Sequence, residues 1–438
     1  MEMIAIKKLC KNIDITNPET IKPWIRECVI KHRKRHDFKA LLRHHGMDKG
    51  QYIEMVETGN IDLLEPALDS LSLTTAELIR NHEPLNLPKP IIRTRLDVTT
   101  GKIREIGCEC AMQQVLDIIA VNGAMDVLMR RIKPQQASSV VGRGQIYGMH
   151  MIRRWVKKDN AKLQYAHRHQ LRATSDMKYF VKCDIRHCYQ NMRLEHFMRL
   201  FERDCGNADL IWLWHVLLES HRIDDKHQGF MIGALTSQWA AQYVISFAYD
   251  HIMALKTTPR RGKERKLVSH MCFFMDDILM TSSSRRSLVT ATRSLVHFMM
   301  SEFSLTIKPN WDVKEFSDQG IDMMGFIVYR TGKVAIRARN YVRARRMALR
   351  AKNHISYKQA KRIASYKGFF THTDSQKAKA VLMLPAVWAN ARKVVSECDK
   401  RRSKRNGKSF LQRKARSDQV HAPAKQQDGR RQASGEYY

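Results

Sequence analysis

Two apolar runs in the middle of the chain carry acidic residues where strands would end. Tyr179 to Cys183 has the pattern of a short buried strand, and Asp184 closes it. Met271 to Met280 is apolar except at Asp276 and Asp277. An apolar run interrupted at its centre predicts two short strands joined by a tight turn. The pattern therefore predicts a hairpin with two acids at its tip, in addition to the strand that ends in an acid.

Segments with helical periodicity and many basic residues lie on either side of these strands. Residues 1–88 have a mainly helical, basic pattern, and Ser237 to Lys256 repeats apolar residues at helical spacing. From Arg337 onward the chain is again helical and basic. From about Arg401 it is rich in Lys, Arg, Gln and Ser, with few large apolar residues. Such a composition cannot bury enough apolar surface to fold, so this tail is predicted to be disordered.

A basic hairpin with a glycine turn is predicted before the first acidic strand. Arg93 to Asp97 and Ile103 to Ile106 are its strand candidates, and Thr99 to Lys102 contains the glycine of the turn. A cluster of prolines between residues 84 and 90 precedes the hairpin and marks a boundary. The chain is thus predicted to consist of four parts, with residues 1–88, 89–330, 331–400 and 401–438.

The charge of the chain indicates a polyanionic partner. Lys and Arg number 77 against 43 Asp and Glu, which gives a formal net charge of +34. Self-repulsion at that charge destabilises a compact chain unless a polyanion offsets it, and nucleic acid is the most obvious one. An anionic membrane is the alternative. It is disfavoured because the sequence has no apolar run long enough to span, no signal-peptide pattern and no lipidation motif.

The cysteines indicate a reducing compartment. The nine Cys residues are scattered, odd in number and without a CxxC pair. This usage is typical of reduced intracellular thiols rather than of a disulfide framework, so a cytoplasmic location is expected. Cys108 and Cys110 have poor spacing for zinc.

The acids define the candidate chemistry. Adjacent carboxylates within an apolar run are costly unless a cation neutralises them. A surface turn with two solvated acids is the alternative, and it would be preferred for Asp276 and Asp277 alone. Asp184, however, closes a second apolar strand, and a hard divalent cation is the economical partner of three converging carboxylates. Paired Mg²⁺ ions, roughly 3.5–4 Å apart, can activate an attacking oxygen and stabilise a leaving one in phosphoryl transfer.

Five segments, in order along the chain, resemble motifs of reverse transcriptases. Asp184–Tyr189 resembles the first palm motif, an Asp followed five residues later by an aromatic residue. Gln228–Gln238 resembles the second motif, and Phe274–Asp277 resembles the third, in which an aromatic residue and a variable residue precede two Asp. Leu305–Lys308 and Met324–Phe326 stand where the fourth and fifth motifs are expected. Several motifs in order are a much stronger signal than a single Met-Asp-Asp.

The resemblance covers roughly Arg93 to Arg330 and, more weakly, the basic helices that follow. It implies an α+β right-hand polymerase, with fingers, a palm of antiparallel sheet with packed helices, and a helical thumb. The four predicted parts would then be an extension, fingers and palm, thumb and tail. It also implies two Mg²⁺ ions held by Asp184 and Asp276, with Asp277 in support. The carbonyl of Ile185 would be a further oxygen ligand.

Four further residues are implied as substrate contacts. Lys102 and Arg104 would hold the triphosphate from the fingers hairpin, and a solvated strand face is the alternative for both. Lys308 would give a proton to the pyrophosphate leaving group, although a Lys at a strand end is usually only solvated. Tyr189 would stack under the incoming sugar and leave no room for a 2′-hydroxyl, which favours DNA synthesis. A tyrosine of the core is the alternative for that position.

The second motif indicates which group of reverse transcriptases the chain resembles. Most similar families carry Ser-Pro there, whereas this chain has Ser237 and Gln238, preceded by Ile232 and Gly233. The pattern Ile-Gly-x-x-x-Ser-Gln resembles reverse transcriptases of bacterial and phage diversity-generating retroelements, and Gly233, Ser237 and Gln238 would then be substrate contacts. In that pattern Gln238 opens a helix beside the templating base. The long extension and tail depart from the compact form of that group. They leave a phage-defence or other domesticated bacterial enzyme open.

The predicted function is therefore an RNA-directed DNA polymerase that makes cDNA by two-metal nucleotidyl transfer, error-prone if the retroelement type applies. The expected partners are an RNA template, a DNA or RNA primer and dNTPs, with a small accessory protein as a further candidate and no membrane. Two other functions stay open. The intact acids argue against a catalytically silent RNA-binding protein, and Tyr189 argues against an RNA-dependent RNA polymerase.

Overall fold

The computed structural model describes residues 8–96, 103–258, 262, 264–351 and 355–401. The chain divides into two compact units, Met1–Tyr341 with Phe369–Ser375 and Val342–Gly368 with Gln376–Tyr438. Helices pack with antiparallel sheets, so the predicted α+β class is confirmed. Within the described ranges, no helix is both long and apolar enough to cross a membrane.

The bounds of the regular elements follow the chain order. The described strands are β1 (Ile91–Leu96), β2 (Ile103–Cys108), β3 (Tyr179–Asp184), β4 (Lys256–Thr257), β5 (Arg265–Lys266), β6 (His270–Phe274), β7 (Asp277–Ser282), β8 (Val313–Glu315), β9 (Ile321–Met323), β10 (Phe326–Val328) and β11 (Val334–Ile336). The described helices are α1 (Pro18–His32), α2 (His36–His44), α3 (Lys49–Thr58), α4 (Glu65–Arg80), α5 (Ala111–Gly123), α6 (Met125–Arg131), α7 (Gln145–Arg168), α8 (Cys188–Asn191), α9 (Leu194–Asp204), α10 (Ala208–Glu219), α11 (Leu235–Ala254), α12 (Arg285–Phe303), α13 (Ala338–Arg350), α14 (Tyr357–Thr371) and α15 (Gln376–Val381). Ile61–Leu64 is a 3₁₀ helix, and residues 384–401 are helical.

A four-stranded antiparallel sheet of order β6-β7-β3-β8, the central sheet, contains the acidic strands. The predictions for β3, β6 and β7 are confirmed. Alternate residues of the sheet enter two hydrophobic clusters. Val181 and Met280 pack in the cluster that includes α11 and α12, whereas Phe180 and Leu279 pack in the one that includes α7 and β10. Because both faces are covered, these strands have nearly continuous apolar sequences.

The N-terminal helices belong to the same hydrophobic cluster as one face of the central sheet. Asn17 caps α1 by accepting a hydrogen bond from the Glu19 N–H, and Asp48 with Gln51 forms a capping box at α3. Helix α1 packs against α4 and α5. The predicted helical character of this region is confirmed for its described residues.

The predicted hairpin is formed by β1 and β2, and its turn, residues 97–102, lies outside the described residues. Strand β2 approaches the second-motif segment so closely that a side chain cannot fit between them. A Cβ at Gly107 would lie 1.8 Å from the sulfur of Met231, and the Gly107 N–H donates to the Ile232 carbonyl at 2.8 Å. The hairpin is thereby joined to the segment that precedes α11.

The fifth-motif residues form a two-residue turn between β9 and β10. Met324 and Gly325 have φ values of +56° and +86°, as a type I′ turn requires. A Cβ at Gly325 would lie 2.8 Å from the ring of Phe369, so glycine is also required by packing.

The second unit is helical and basic over its described residues, as predicted. Within it, the Tyr357 hydroxyl donates a hydrogen bond to the Asp399 carboxylate at 2.6 Å. The predicted disordered tail begins at Arg401, which is described and is the last residue of the helical stretch 384–401, and its remaining residues, 402–438, lie outside the described residues.

Candidate active site

The three predicted acids lie at neighbouring positions of the central sheet. Asp184 is the last residue of β3 and Asp277 the first of β7, and the two are paired directly in the strand register. Asp276 and Met275 form the turn between β6 and β7. Met275 has a φ of +54°, which is unfavourable for a residue with a side chain. The sheet thus brings together residues that are more than 90 positions apart in sequence.

Buried polar side chains support the strained turn. The Met275 N–H donates to the Ser138 hydroxyl at 3.0 Å, and the Gln242 amide donates to the same oxygen at 3.0 Å. Gln136 donates in turn to the carbonyl of Gln242 at 2.7 Å. Sequence reasoning missed these residues. The available signal was Gln242 within the apolar stretch of α11 from Trp239 to Ile245, since a buried amide needs partners.

The fourth-motif segment lies directly beside Asp184. The ammonium of Lys308 is 2.5 Å from Asp184 Oδ1, and the Lys308 N–H donates to the Asp184 carbonyl at 2.9 Å. The next pair, Ile185 and Ile307, forms a bridge without a mutual hydrogen bond. In such a pair the N–H and C=O of each residue point away from the partner. The Ile185 N–H accordingly donates to the Asp276 carbonyl at 3.1 Å, and the Ile185 carbonyl faces the same side.

The electrostatics of the acids favour a cation. Burial raises the pKa of Asp276 above its ordinary value, and the negative charge of Asp184 adds to the effect. Arg104 and Lys308 oppose this shift. Burial also raises the pKa of Asp277, and the other two acids again add to the effect. The site therefore disfavours the ionised carboxylates unless additional positive charge enters it.

Mg²⁺ is one of the hard divalent cations that suit this donor chemistry, because it binds carboxylate and carbonyl oxygens. In the described part of the chain, no three His, Cys, Asp or Glu side chains enclose a metal ion by themselves. Mg²⁺ is commonly held by one or two carboxylates together with substrate phosphates, so a full protein cage is not needed. Asp184 Oδ1 fits that role. It is shielded from solvent, and its polar contact among the described residues is the Lys308 ammonium at 2.5 Å.

Tyr189 lies on α8, five residues after Asp184 in the sequence. Its ring is partly buried against the hydrophobic cluster of α11, and its carbonyl accepts the Phe230 N–H at 2.8 Å. A Cβ at Gly229 would lie 2.6 Å from the same carbonyl, so glycine permits this contact. Burial raises the pKa of Tyr189, and nearby Asp276 contributes, so the hydroxyl stays protonated at neutral pH.

Gly233 and Ser237 fix the path of the second-motif segment. Gly233 has a φ of +118°, and a Cβ there would lie 2.6 Å from the Gly107 carbonyl oxygen. Ser237 is fully buried, and its hydroxyl accepts the Met231 N–H at 3.0 Å. Gly233 is exposed in the structure, whereas Ser237 is not.

Gln238 is not the residue that opens its helix, which corrects the expectation from the sequence. Helix α11 begins at Leu235, after the N-cap Ala234. Gln238 is therefore the fourth helical residue, and its N–H already donates to the Ala234 carbonyl at 3.3 Å. Its half-buried side chain lines a groove together with Gly233 and Leu235.

The hairpin contributes positive charge close to the acids. Arg104 is exposed on β2 and is paired directly with Arg95 on β1, so both side chains leave the same face of the hairpin. The charge of Arg104 lowers the pKa of Asp276, which puts it within electrostatic reach of the site. Lys102 lies outside the described residues.

The groove lined by Gln238 has a volume of about 1070 Å³ and lies among α1, the hairpin, α5 and the start of α11. Five Lys and Arg side chains line it, namely Lys31, Arg35, Lys89, Arg93 and Arg95. Four acids line it as well, namely Glu27, Asp37, Glu109 and Asp117, and the last two are buried. The Lys and Arg side chains suit a phosphate backbone.

Comparison with known proteins gives solved telomerase structures. No family profile and no curated protein matches the chain. Apo telomerase from Candida tropicalis is 10% identical with a TM-score of 0.41, over 91% of this chain and 78% of that one. The same telomerase truncated from its C-terminal domain gives 10% and 0.37, over 65% and 67%. Telomerase from Candida albicans in complex with a TWJ fragment of telomeric RNA gives 9% and 0.38, over 75% and 67%. Such low identities and TM-scores carry no conclusion about activity or partners.

Proposed function

We propose that this protein is a reverse transcriptase, an RNA-directed DNA polymerase that makes cDNA by nucleotidyl transfer. The observation that carries the proposal is the meeting of Asp184, Asp276 and Asp277 at one end of the inner strands β3 and β7, where burial raises the pKa of Asp276 and Asp277. Buried acids with raised pKa values in a shaped site are typical of catalytic centres. The motifs around these acids select this polymerase class among the enzymes that use such a site.

Asp184 and Asp276 are assigned to Mg²⁺ binding, with Asp277 in support and the Ile185 carbonyl as a further oxygen donor. When bound, two Mg²⁺ ions lower the pKa of the primer 3′-hydroxyl and balance the charge of the triphosphate. The chain's own contribution is to hold the acids in place. The turn that carries Asp276 is fixed by the hydrogen bond from the Met275 N–H to Ser138.

Lys308 and Arg104 are assigned to the triphosphate. The ammonium of Lys308 lies 2.5 Å from Asp184 Oδ1, and from this position it would donate a proton to the leaving pyrophosphate. Arg104 extends from the exposed strand β2, and its positive charge lowers the pKa of Asp276. Lys102, which directly precedes β2 in the sequence, is proposed as a second triphosphate contact.

Tyr189 is assigned to the choice of sugar. Its carbonyl is bonded to the Phe230 N–H in the second motif, which holds the backbone of Tyr189 in place, and its ring packs against the hydrophobic cluster of α11. A neutral ring in this position, near Asp276, would leave no space for a ribose 2′-hydroxyl. Deoxynucleotides would therefore be preferred over ribonucleotides.

The groove beside Gln238 is proposed to receive the RNA template. Its basic side chains are suited to phosphates, and Gly233 and Gln238 line its wall. A primer of DNA or RNA completes the substrate, and a small accessory protein is a further proposed partner. The first unit would supply fingers and palm on an N-terminal extension, and the second unit the thumb and the basic tail.

Within this class, the second-motif pattern favours the type found in diversity-generating retroelements, with error-prone synthesis. A phage-defence or other domesticated bacterial enzyme is the alternative within the class. A catalytically silent RNA-binding protein is the alternative outside it, and the supported acid-bearing turn speaks against that function, because a binding protein has no use for a strained turn.

Primer extension on an RNA template tests the proposed function. The full chain, supplied with Mg²⁺, a DNA primer and either dNTPs or NTPs, is expected to extend the primer with dNTPs and only poorly with NTPs. Extension with NTPs as the better substrate would make the protein an RNA polymerase. RNA binding without extension of DNA or RNA primers would leave the silent binding protein.

A further inference from the structure

A cluster of buried ionisable residues lies outside the acidic site, at the start of α11. Glu109, Asp117 and His221 have only 5%, 1% and 1% of their surface exposed. They come from three parts of the fold: the link between β2 and α5, helix α5, and the segment after α10. Groups of this kind are rarely buried unless each of them is bonded.

Asp117 acts as a distant cap for α11. The N-cap residue of this helix, Ala234, has no polar side chain, so the first N–H groups need another acceptor. Asp117 accepts the N–H of Leu235 at 3.0 Å and that of Thr236 at 3.3 Å. The Thr236 hydroxyl donates to its other carboxylate oxygen at 3.1 Å. Burial and the negative charge of Glu109 raise the pKa of Asp117, so its role at α11 is that of a hydrogen-bond acceptor and not of a charge.

A second chain of contacts passes through His221. The Ser237 hydroxyl accepts the Met231 N–H at 3.0 Å and lies 3.1 Å from His221 Nδ1. His221 Nε2 lies 3.2 Å from the Glu109 carboxylate. Burial lowers the pKa of His221 to about 4, so the ring is neutral. The consistent proton arrangement is a Ser237 hydroxyl that donates to Nδ1 and an Nε2–H that donates to Glu109.

The two sets of contacts hold both sides of one short segment. Ser237, bonded to His221, fixes Met231. Asp117 fixes Leu235 and Thr236. The next residue after Ser237 in the sequence is Gln238. Apolar residues of similar size could fill the same space without the desolvation of three ionisable groups. A fully bonded polar network instead selects one geometry.

We propose that Glu109, Asp117 and His221 are positioning residues that fix the start of α11, and through Gln238 set which nucleotide is accepted opposite the template base. Glu109 and Asp117 border the groove, but both are buried, so they would act by holding the segment in place and not by contact with the template. The inference rests on the proposed function for its effect on nucleotide choice, and on the observed contacts alone for the ordering of the segment.

Asp117→Ala and Asp117→Asn test the proposal, with Asp159→Ala as the matched control. Asp159 is equally buried and accepts bonds from Ser175 and Arg330, but it lies on α7, away from α11. Single-nucleotide incorporation opposite each template base gives kcat, KM and the misinsertion ratio. Because misplacement by about 1 Å can change a rate by about 100-fold, Asp117→Ala is expected to change the misinsertion ratio by about tenfold or more. The amide oxygen of Asp117→Asn should restore most of the wild-type ratio, and the control should keep it.

Amide hydrogen exchange of residues 228–238 provides a measurement that does not depend on catalysis. Exchange is expected to become faster in Asp117→Ala and to stay unchanged in Asp159→Ala. Ser237→Ala, a smaller change, is expected to have a weaker effect in the same direction and serves if Asp117→Ala does not fold. If exchange in this segment is unchanged in both variants, or if the control alters the misinsertion ratio equally, the positioning role is refuted. A wild-type protein that extends no primer would refute the proposed function, while the exchange result would still decide the positioning claim.

Discussion

At the scale of single residues, Asp276 shows a conflict between stability and chemistry. Burial and the negative charge of Asp184 raise its pKa, so the folded chain binds a proton at Asp276 more tightly than the unfolded chain does. Stability from this group is therefore fully present below the ordinary Asp pKa, about 3.9, and is lost as the pH rises through the raised value. A group that destabilises the fold at neutral pH is expected where function requires its charge.

Replacing the carboxylate by an amide should consequently stabilise the protein. In the absence of divalent cations at neutral pH, Asp276→Asn is expected to raise the free energy of unfolding, and the gain should shrink as the pH is lowered toward 4. Asp159→Asn is the control with the opposite sign. Burial by itself raises the pKa of Asp159, but the bonds from Ser175 and Arg330 lower it below its ordinary value. Loss of the carboxylate should therefore destabilise the fold. Denaturant unfolding at several pH values measures both. A destabilising Asp276→Asn would show that the buried charge is compensated within the chain.

Tyr189 carries the second prediction at this scale. Tyr189→Val removes the ring but leaves the carbonyl that accepts the Phe230 N–H, so the contact between the first two motifs is kept. The ratio of NTP to dNTP incorporation should rise by roughly 10- to 100-fold, as expected when a pocket ceases to reject one hydroxyl. Tyr179→Phe, at the start of β3, is the control and should keep the wild-type ratio. An unchanged ratio in Tyr189→Val would make this residue part of the core only.

At the scale of elements, α11 connects the template side of the site to its catalytic turn. Its first turn is capped by Asp117, and its second turn bears Gln242, which supports Ser138 behind Met275. Most of its residues are buried, as expected of a helix with apolar character on all sides. A change in the first turn of α11 should therefore affect nucleotide choice and spare the catalytic turn. A change at Gln242 should affect the catalytic turn and spare nucleotide choice.

Substitutions of Gln238 test whether the first turn of α11 controls nucleotide choice. Gln238→Leu keeps the backbone bond to Ala234 and removes only the amide side chain, whereas Gln238→Pro removes that backbone bond as well. If the amide tolerates mispairs, both variants should lower misincorporation opposite adenine more than opposite other bases, and Gln238→Pro should also lose stability. Sequencing of cDNA made on one template gives the error spectra. Spectra identical to the wild type in both variants would remove Gln238 from the control of fidelity.

The elements also show what sequence can and cannot reveal. Strands β3, β6 and β7 are predictable because covered faces make them apolar, and an acid within such a run stands out. The existence of α11 is predictable from its period, but its first residue is not, because its cap is Asp117, more than 100 positions earlier. The contacts of Ser138 with Met275 and of Lys308 with Asp184 are likewise tertiary and leave no local pattern. Ser237 illustrates the remaining gap, since a motif residue expected at the substrate is fully buried.

At the scale of the whole molecule, the dominant property is the net charge of +34. Part of it lines the groove, part lies on the basic helices of the second unit, and part lies in the tail, where Lys and Arg greatly outnumber the three acids Asp418, Asp428 and Glu436. Charge spread in this way should support binding to any phosphate backbone and add little to sequence choice.

Deletion of Arg401–Tyr438 tests the contribution of the tail. RNA affinity should fall, and the slope of log affinity against log salt should become shallower by about 0.7 for each phosphate of a single strand that the shortened chain no longer neutralises. A chain whose tail is replaced by Gly and Ser of equal length controls for size. Incorporation at saturating RNA should remain, because the acids are unaffected. An unchanged slope would show that the tail does not bind RNA.

The most direct test of the central claim is the single-turnover rate of dNTP incorporation by Asp276→Asn and Asp184→Asn, measured with RNA affinity on the same samples. The exposed acid Asp312, which pairs with Arg285 on the surface, provides the control Asp312→Asn. The two site variants should lose roughly a thousandfold or more in rate, as expected for a residue at the reacting atoms, and should bind RNA as the wild type does. The control should keep both properties. Substantial incorporation by Asp276→Asn would contradict the assignment of the acids and, with it, the proposed polymerase site.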